Sequence, residues 1–391
     1  MPIVNRVADL HTEITDWRQQ LHQHPELGYE EVWTSDFVAK QLEACGIEIH
    51  RGMGKTGVVG VLKGNKPGTG SIALRADFDA LPITELNDLD YKSQNPGNMH
   101  ACGHDGHTAM LLGAAKYLSE TKNFAGTVFF VFQPAEEGGG GGLKMIEDGL
   151  FDKFPADAVY GMHNMPGIPL GEFAMRSGPI MASADEFGIK ITGSGGHAAM
   201  PHTCVDPVVV CAQIILALQS IVSRETDTME SVVLSCTVVK SEGEAFNVIP
   251  DVVQLTGTVR ALDETVRHNT FKRIEEVAKG VCSAMRATCE VDVRLGYPVT
   301  VNHEKHVDIA AAIATEIVGA DMVDTKVNPM MGAEDFSYML QEKPGCYIFV
   351  GNGAEGEVGS NNLHAANYNF NDEASLYGTS YWIKLVEGVL A

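Results

Sequence analysis

The sequence lacks a long hydrophobic run. Its longest strongly apolar stretch, residues 208–218, is well short of the roughly 18 residues that cross a bilayer. The N-terminal segment alternates apolar and charged positions and supplies no apolar core of a secretion signal. We therefore expect a cytoplasmic protein with no membrane partner.

Cysteines and basic residues are also scarce. Eight cysteines in 391 residues are too few for a disulfide framework, and no Cys-x-x-Cys pair occurs, so we expect reduced thiols. Lysine and arginine total 28 against 51 acids, which gives a formal net charge of −23. That charge repels phosphate backbones, so nucleic acid is not an expected partner.

The motifs of several common enzyme classes are missing. Gly54-Lys55-Thr56 resembles the end of a phosphate loop, but Ile49 stands where the leading glycine is required. Leu143 likewise stands where a dinucleotide-binding fingerprint needs its last glycine. Neither a Gly-x-Ser-x-Gly elbow nor a His-Glu-x-x-His helix is present, which disfavours serine hydrolases and zincins.

What the sequence does contain is an alternation of strands and helices. Buried-strand patterns occupy 72–74, 127–133, 157–163 and 346–351, and helical patterns occupy 32–44 and 107–118. This alternation predicts an α/β domain with a mostly parallel sheet flanked by helices. Ligands of such domains bind beyond the carboxyl ends of the strands, where this sequence places clusters of polar residues.

A second pattern occupies residues 184–296. Strand patterns at 186–192, 231–240, 252–261 and 290–295 alternate with two helical patterns, the first starting at Asp206-Pro207 as N-cap and first helical residue. The order β-α-β-β-α-β is typical of a ferredoxin-like fold. We therefore predict an inserted α+β domain at 184–296, within a catalytic domain formed by 1–183 and 297–391.

The densest polar cluster is the segment HACGHDGH at 100–107, which contains three histidines, a thiol and a carboxylate. A thiolate beside imidazoles suits zinc and neighbouring divalent metals. Any one of these histidines alone is more typical of a helix start or a core position. Taken together, the cluster predicts a metal site.

Further metal-site candidates follow other strands: Asp77 with Asp79, Glu136 with Glu137, His163, and His364. Adjacent glutamates on a loop point in different directions, so one carboxylate can bind a metal while the other reaches the attacking water. Two solvated loop acids are the ordinary interpretation of a lone Glu-Glu pair. A buried strand before this pair and a run of five glycines after it favour the functional interpretation.

The inserted domain has candidates of its own. His197 lies in a glycine-rich turn, from which a histidine can donate to an oxyanion, although an ordinary surface turn fits equally well. Asn247, in the segment FNVIP, is a similar case. Arg260 suits bidentate capture of a substrate carboxylate, and its ordinary alternative is an exposed ion pair.

These segments resemble the two-metal aminoacylase and carboxypeptidase family, in the branch containing hippurate hydrolase and the indoleacetyl-amino-acid hydrolases. The resemblance covers nearly the whole chain, from 75 to 370, and implies a zinc-exopeptidase-like catalytic domain with an inserted lid that mediates dimerisation. It rests on the segments RADFDALPI, HACGHDGHTAMLLGAA, FQPAEEGGGG, GMHNMPGIPLG, GSGGHAAMPH, FNVIP, GAEDFS and LHAANYNF.

The same resemblance implies roles for individual residues. Two divalent ions, of zinc, manganese, nickel or cobalt, would share the Cys102 thiolate and be held by the implied ligands Cys102, His104, Glu137, His163 and His364. Glu136 matches the general base, Asp79 the acid beside the metals, and Arg260 the substrate-carboxylate binder. His197 and Asn247 match lid residues that contact substrate, in the same or a neighbouring subunit. Asp77 replaces a histidine ligand of the wider family, which leaves its role open.

The activity implied is hydrolysis of N-acyl amino acids, such as N-benzoylglycine, to a carboxylic acid and a free amino acid by a homodimer or higher homo-oligomer. A dipeptidase or carboxypeptidase is the nearest alternative. Two further alternatives are a hydrolase with Cys102 as its nucleophile and a metal-binding module without catalysis. Glu136 and Asp79 disfavour the module.

Overall fold

The computed structural model describes residues 3–391, so positions 1 and 2, which the predicted catalytic domain includes, lie outside the described residues. The chain forms two compact units. Unit 1 comprises 3–180, Val301–Asn328 and Asp335–Ala391, and unit 2 comprises Met181–Thr300 and Pro329–Glu334.

Both units contain helices and strands. Within residues 3–391 the α-helices are α1 Asn5–Gln23, α2 Val32–Ala44, α3 His104–Thr121, α4 Gly141–Glu147, α5 Leu150–Lys153, α6 Pro207–Ser220, α7 Glu264–Ala284, α8 Glu304–Val318, α9 Phe336–Glu342 and α10 Ala374–Val389. The strands are β1 Glu48–Met53, β2 Gly57–Lys63, β3 Lys66–Asp77, β4 Ala125–Gln133, β5 Ala158–Pro166, β6 Phe173–Ala174, β7 Gly178–Met181, β8 Asp185–Thr192, β9 Gly196–His197, β10 Val232–Ser241, β11 Val248–Ile249, β12 Val252–Ala261, β13 Thr288–Arg294, β14 Thr300–Asn302, β15 Val323–Asp324 and β16 Gly345–Gly353.

Unit 1 is built on an eight-stranded sheet in the order β1-β2-β4-β3-β5-β16-β6-β15. The central strands β4, β3, β5 and β16 run parallel, while β1 and β2 are antiparallel additions at one edge. Leu74, Phe130, Tyr160 and Ile348 of these strands are buried in the main core. The predicted α/β fold with a mostly parallel sheet is therefore confirmed.

Strand register brings the polar strand ends of unit 1 to one edge of the sheet. Asp77 at the end of β3 pairs with Gln133 at the end of β4, and His163 lies near the end of β5, opposite Phe349 of β16. Since parallel strands share the direction of their carboxyl ends, the loops that follow them meet at the same edge.

Unit 2 contains a four-stranded antiparallel sheet in the order β10-β12-β8-β13. Helices α6 and α7 pack on it, and the core includes Phe187, Val253 and Ile274. The chain order β8-α6-β10-β12-α7-β13 is the one predicted for a ferredoxin-like unit. The Asp206 carboxylate accepts from the Val208 amide, and this N-cap bond starts α6 as predicted.

Helix α6 continues into a single π-helical turn, Ile221–Glu225, so the helical stretch is longer than the apolar run in the sequence. The stretch Pro207–Glu225 has a mean hydropathy of 1.6 and could cross a membrane on length and composition alone, which is weak evidence for a span. Its residues Val210, Ile214 and Leu218 are buried in the unit 2 core.

Candidate metal centre and active site

The implied metal ligands come from four separate segments of unit 1. Cys102 precedes α3, His104 is the first residue of α3, and His163 lies on β5. Glu137 lies in the loop after β4, and His364 lies in a loop near the C-terminus. Their ligand atoms lie within 4.8 Å of one another in overlapping groups: Cys102 with His104 and His163, and Cys102 with Glu137 and His364.

His104 is oriented by Asp79. Its Nδ1 lies 3.0 Å from the Asp79 carbonyl oxygen and 3.2 Å from Oδ1, so the ring N–H donates there. The Nε2 atom is buried and has no hydrogen-bond partner among the described residues. A histidine that donates one nitrogen to a carboxylate and keeps the other available is typical of metal ligands.

His163 has a similar arrangement. Its Nδ1 donates to the Asn164 carbonyl oxygen at 2.5 Å, and its Nε2 lies 3.4 Å from the Cys102 sulfur. Asn164 also fixes the cysteine, because its side-chain amide donates to the Cys102 carbonyl oxygen at 2.7 Å. The imidazole and the thiol therefore face each other from fixed backbone positions.

Asp77 has a supporting position in the structure. Its Oδ1 lies 2.6 Å from His107 Nδ1, and its Oδ2 accepts from the buried Arg75 guanidinium at 2.6 Å. His107 Nε2 in turn accepts from the Asn164 amide at 2.9 Å, so both nitrogens of His107 are used. The carboxylate thus connects Arg75 to the histidine that holds Asn164, next to His163.

The two adjacent glutamates follow a strained residue. Ala135 has a φ of +52°, in the left-handed region that non-glycine residues rarely adopt. The Glu137 amide donates to Asp79 Oδ2 at 2.9 Å, and the Gly138 amide donates to the Glu136 carbonyl oxygen at 2.7 Å. The Glu136 carboxylate lies within 4.8 Å of ligand atoms of His104 and Glu137.

His364 completes this side of the cluster. Its φ is +64°, its amide donates to the Ala101 carbonyl oxygen at 2.7 Å, and its Nε2 lies 3.2 Å from Glu137 Oε1. The hydrogen bond to Glu137 raises the pKa of His364. The side chain is 52% exposed, so this edge of the cluster faces solvent.

The crowding of donors shifts their pKa values strongly. Burial, and then the charges of Glu137 and Glu136, hold the pKa of Cys102 well above its usual range. Burial lowers the pKa of His104, but the charges of Asp77 and Asp79 outweigh it and raise that pKa to about 10. Burial and His107 hold the pKa of His163 well below its usual value.

This donor set fits a divalent metal centre. It combines a thiol, imidazoles and carboxylates, the ligand types that zinc and its neighbours take in proteins. Converging acidic donors favour a bound cation, and a cation in turn favours the Cys102 thiolate. The buried Nε2 of His104, to which residues 3–391 offer no hydrogen-bond partner, is in the position of a ligand atom.

Three of the implied site residues lie in unit 2. His197 and Asn247 are neighbours, because His197 on β9 pairs with Val248 on β11 and the Ala198 amide donates to the Asn247 carbonyl oxygen at 3.0 Å. His197 Nδ1 accepts from the Ala199 amide at 3.1 Å, which leaves the proton on Nε2. Arg260 is half-buried on β12, opposite Val233 of β10.

Several supporting residues were not identified from the sequence. Asn164 directly follows His163 at a strand end, a position that could have signalled it. Tyr368 donates to the Asn164 side-chain oxygen at 2.8 Å, and Asp335 accepts from Arg75 at 2.8 Å. Both lie far along the chain from their partners, and only the fold reveals these contacts.

Comparison with known proteins places the chain in a family. A model of peptidase family M20/M25/M40 matches residues 73–388. The chain is 42% identical over 386 residues to the hippurate hydrolase of Campylobacter jejuni, covering 98% of both chains. It is 44% identical over 363 residues to thermostable carboxypeptidase 2 of Saccharolobus solfataricus, covering 90% of both chains.

A solved structure agrees with this assignment. The crystal structure of a dinuclear metal-binding peptidase of the M20 family from Bacillus subtilis matches with a TM-score of 0.86 at 34% identity. The match covers 98% of this chain and 99% of that chain. The predicted resemblance is confirmed, and the chain belongs to peptidase family M20/M25/M40.

Proposed function

We propose that this chain is a metal-dependent amidohydrolase that cleaves N-acyl amino acids into a carboxylic acid and a free amino acid. The observation that carries the proposal is the convergence of Cys102, His104 and Glu137 with the Glu136 carboxylate beside them. The family match supports the hydrolase class, and the similarity to a hippurate hydrolase supports the substrate class.

We further propose that Cys102, His104, Glu137, His163 and His364 would hold two divalent ions, since Cys102 belongs to both groups of converging donor atoms. A similar protein is described as a dinuclear metal-binding peptidase, which supports the number of ions. Zinc, manganese, nickel and cobalt all suit these ligands. Such ions, when bound, supply Lewis-acid polarisation of the amide carbonyl and a lowered pKa of water.

The chain's own residues supply proton transfer and orientation. Glu136 accepts the proton of the attacking water and returns it to the leaving nitrogen, a role typically worth about 10² to 10⁴ in rate. Asp79 keeps the His104 ring oriented through its N–H bond. For unit 2 we propose that His197 donates its Nε2–H to the developing oxyanion, that Arg260 binds the substrate carboxylate and that Asn247 contacts the substrate, in the same or a neighbouring subunit.

Cys102 is better suited to metal binding than to nucleophilic attack. A nucleophilic cysteine needs a depressed pKa and a partly exposed sulfur. Cys102 is buried, and its pKa is raised by burial and by the neighbouring glutamates. The carboxypeptidase alternative has more support than the cysteine-nucleophile alternative, because the chain is 44% identical to a protein of that name. Its support is weaker than that of the proposed amidohydrolase, whose substrate class follows the hippurate hydrolase relative.

We propose that the protein assembles as a homodimer through unit 2. Strand β10 lies at the edge of its sheet with Val238 and Val239 52% and 56% exposed, and Leu216 on α6 is 67% exposed. The other edge strand, β13, carries the charged residues Asp292 and Arg294 instead. Long apolar edge strands are templates for pairing with another chain, and apolar patches mark interfaces.

We also propose a cytoplasmic location. All eight cysteines are free thiols, which suits a reducing compartment.

The proposed function is tested by assaying metal-reconstituted protein against paired substrates, N-benzoylglycine and N-acetyl amino acids against glycyl and alanyl dipeptides. We expect kcat/KM for the best acyl substrate to exceed that for any dipeptide by at least about tenfold. A preference for dipeptides would instead establish the peptidase alternative.

A further inference from the structure

Glu31 is a fully buried carboxylate in unit 1 that the proposed mechanism does not use. It lies at the start of α2, and each of its oxygens accepts one hydrogen bond. Oε1 accepts from the Ala135 amide at 2.9 Å, and Oε2 accepts from the Thr56 hydroxyl at 2.7 Å.

The Ala135 backbone needs such support. Its left-handed conformation is strained for a non-glycine residue. The chain before α2 packs closely against it, since a Cβ added at Gly28 would lie 3.0 Å from the Ala135 Cβ. Tyr29 of the same segment donates its hydroxyl to the Gly139 carbonyl oxygen at 2.8 Å, so the segment contacts both ends of the glutamate loop.

Two buried carboxylates therefore fix the loop on either side of Glu136. Glu31 holds the amide of the residue before it, Ala135, and Asp79 holds the amide of the residue after it, Glu137. With both flanking amides fixed, the backbone at Glu136 has little freedom to rotate, and the directions of the two glutamate side chains are set.

We propose that Glu31 is a positioning residue for the Glu136 and Glu137 pair, acting through the backbone amide of Ala135. This inference rests on the proposed function, in which Glu136 is the base and Glu137 a metal ligand. It adds a residue from the N-terminal segment, outside the ligand set, that acts without touching the substrate.

The state of the Glu31 carboxyl group decides which substitution preserves this role. Burial raises the pKa of Glu31 to about 7, against the effect of its hydrogen bond from Thr56. Near neutral pH the group is therefore present in both its charged and neutral forms, and each form keeps an oxygen that can accept from Ala135. A glutamine at this position has the same shape and the same acceptor oxygen.

The test compares Glu31→Ala, Glu31→Asp and Glu31→Gln with a matched control, Glu26→Ala. Glu26 also accepts backbone amides, but those of Trp33 and Thr34 in the first turn of α2. Two quantities are measured for each folded variant: steady-state kcat and KM, and zinc affinity of the metal-stripped protein by calorimetric titration.

We expect Glu31→Ala and Glu31→Asp to lower kcat and zinc affinity by about 10- to 100-fold each, with KM changed little. Aspartate is one methylene shorter, so it keeps the carboxyl group but does not span both partners. Glu31→Gln is expected to stay within about threefold of wild type in both quantities. Glu26→Ala is expected to lower the melting temperature without changing either quantity.

The inference is overturned if Glu31→Gln is as impaired as Glu31→Ala, or if neither Glu31→Ala nor Glu31→Asp changes zinc affinity or kcat. If circular dichroism shows that Glu31→Ala does not fold, the test is the difference in kcat and zinc affinity between Glu31→Asp and Glu31→Gln. Inactive wild-type protein that still shows the zinc-affinity pattern would refute the proposed substrate and retain the positioning role. If the wild-type protein is active but the Glu31 variants do not show the expected differences in kcat and zinc affinity, only the positioning role is refuted.

Discussion

The two units differ in what they bury and what they expose. In unit 1, the polar side chains Asp77, Asp79 and His104 are at most 1% exposed, at the carboxyl edge of a parallel sheet. In unit 2, apolar side chains face outward, with Phe246 99%, Met229 89% and Leu216 67% exposed. Each pattern is the opposite of what packing alone would produce.

This contrast indicates that the two units have different roles. Buried charges are stable only when they are paired, hydrogen-bonded or bound to a cation, so the polar interior of unit 1 indicates chemistry. Exposed apolar surface is costly in water and indicates a partner. We therefore expect changes at the polar cluster of unit 1 to affect turnover and metal binding, and changes at Val239 and Arg260 of unit 2 to affect association and substrate affinity.

The largest effect is expected from Glu136→Gln. The amide cannot accept a proton, so kcat should fall by about 10² to 10⁴, while the metal content stays at the wild-type level. Steady-state kinetics and elemental analysis of the same sample check this. Full turnover in this variant would remove Glu136 from the base role.

The next largest effect is expected from Val239→Lys on the exposed edge of unit 2. A dimer contains the change twice, and losing roughly 1.5 kcal/mol of burial at each copy weakens dimerisation on the order of 100-fold. Analytical ultracentrifugation across a concentration series measures the dissociation constant.

The matched control for this change is Val293→Lys, on the opposite edge strand β13. It should leave the dissociation constant unchanged. Equal weakening by both substitutions, or by neither, would argue against β10 as the interface.

Arg260→Ala tests the substrate contact assigned to unit 2. Loss of a charge-assisted hydrogen bond worth about 1.5 to 3 kcal/mol should raise KM roughly 10- to 100-fold, with kcat altered less. Arg294→Ala removes an arginine that is 71% exposed and should change neither constant. A fall in kcat at unchanged KM would contradict the role of Arg260 as carboxylate binder.

The smallest effect is a pH dependence of stability within unit 1. His22 is buried between Asp105, 2.8 Å from its Nδ1, and Glu85, 3.2 Å from its Nε2, with Arg18, Tyr91 and His100 nearby. Burial opposes the charged form, but the bonds to Asp105 and Glu85 outweigh it and raise the pKa of His22. Its charged form therefore stabilises the fold below the unfolded pKa of about 6.5, and this stabilisation is lost as the pH rises through the folded pKa.

We therefore expect His22→Gln to lower the melting temperature more at pH 6 than at pH 8.5. Each kcal/mol of interaction that is lost at a given pH should lower it by about 2 to 4 °C. Differential scanning fluorimetry at both pH values measures it. The control is His268→Gln, which replaces an exposed histidine of unit 2. It should change the melting temperature by the same small amount at both pH values. A deficit for His22→Gln that grows with pH would contradict the assignment.

Much of this architecture was predictable because it depends on local pattern. The strand at Val252–Ala261 and the helix at Val32–Ala44 have the bounds that their hydrophobic patterns predicted. The donor types of the candidate metal site were also predictable, because core packing seldom requires soft and charged donors directly after a buried strand. The single π-helical turn after α6 has no comparable signal and extended the helix beyond its apolar run.

The supporting contacts were not predictable, because they join residues that are distant in sequence and meet only in the folded chain. The Glu31 bond to Ala135 spans 104 positions, and the Tyr368 bond to Asn164 spans 204. The left-handed conformations of Ala135 and His364 were equally hidden, since neither residue type favours that region. Pattern singled out the groups that we propose to react, and only the fold showed the contacts that hold them in place.

The central claim is that Cys102, His104, Glu137, His163 and His364 hold a pair of divalent ions. It is tested most directly by inductively coupled plasma mass spectrometry of metal-reconstituted, desalted protein, beside Cys102→Ala. The account predicts two ions per wild-type chain and a clear loss in the variant. Active wild-type protein without stoichiometric metal, or a variant that retains both ions, would contradict it.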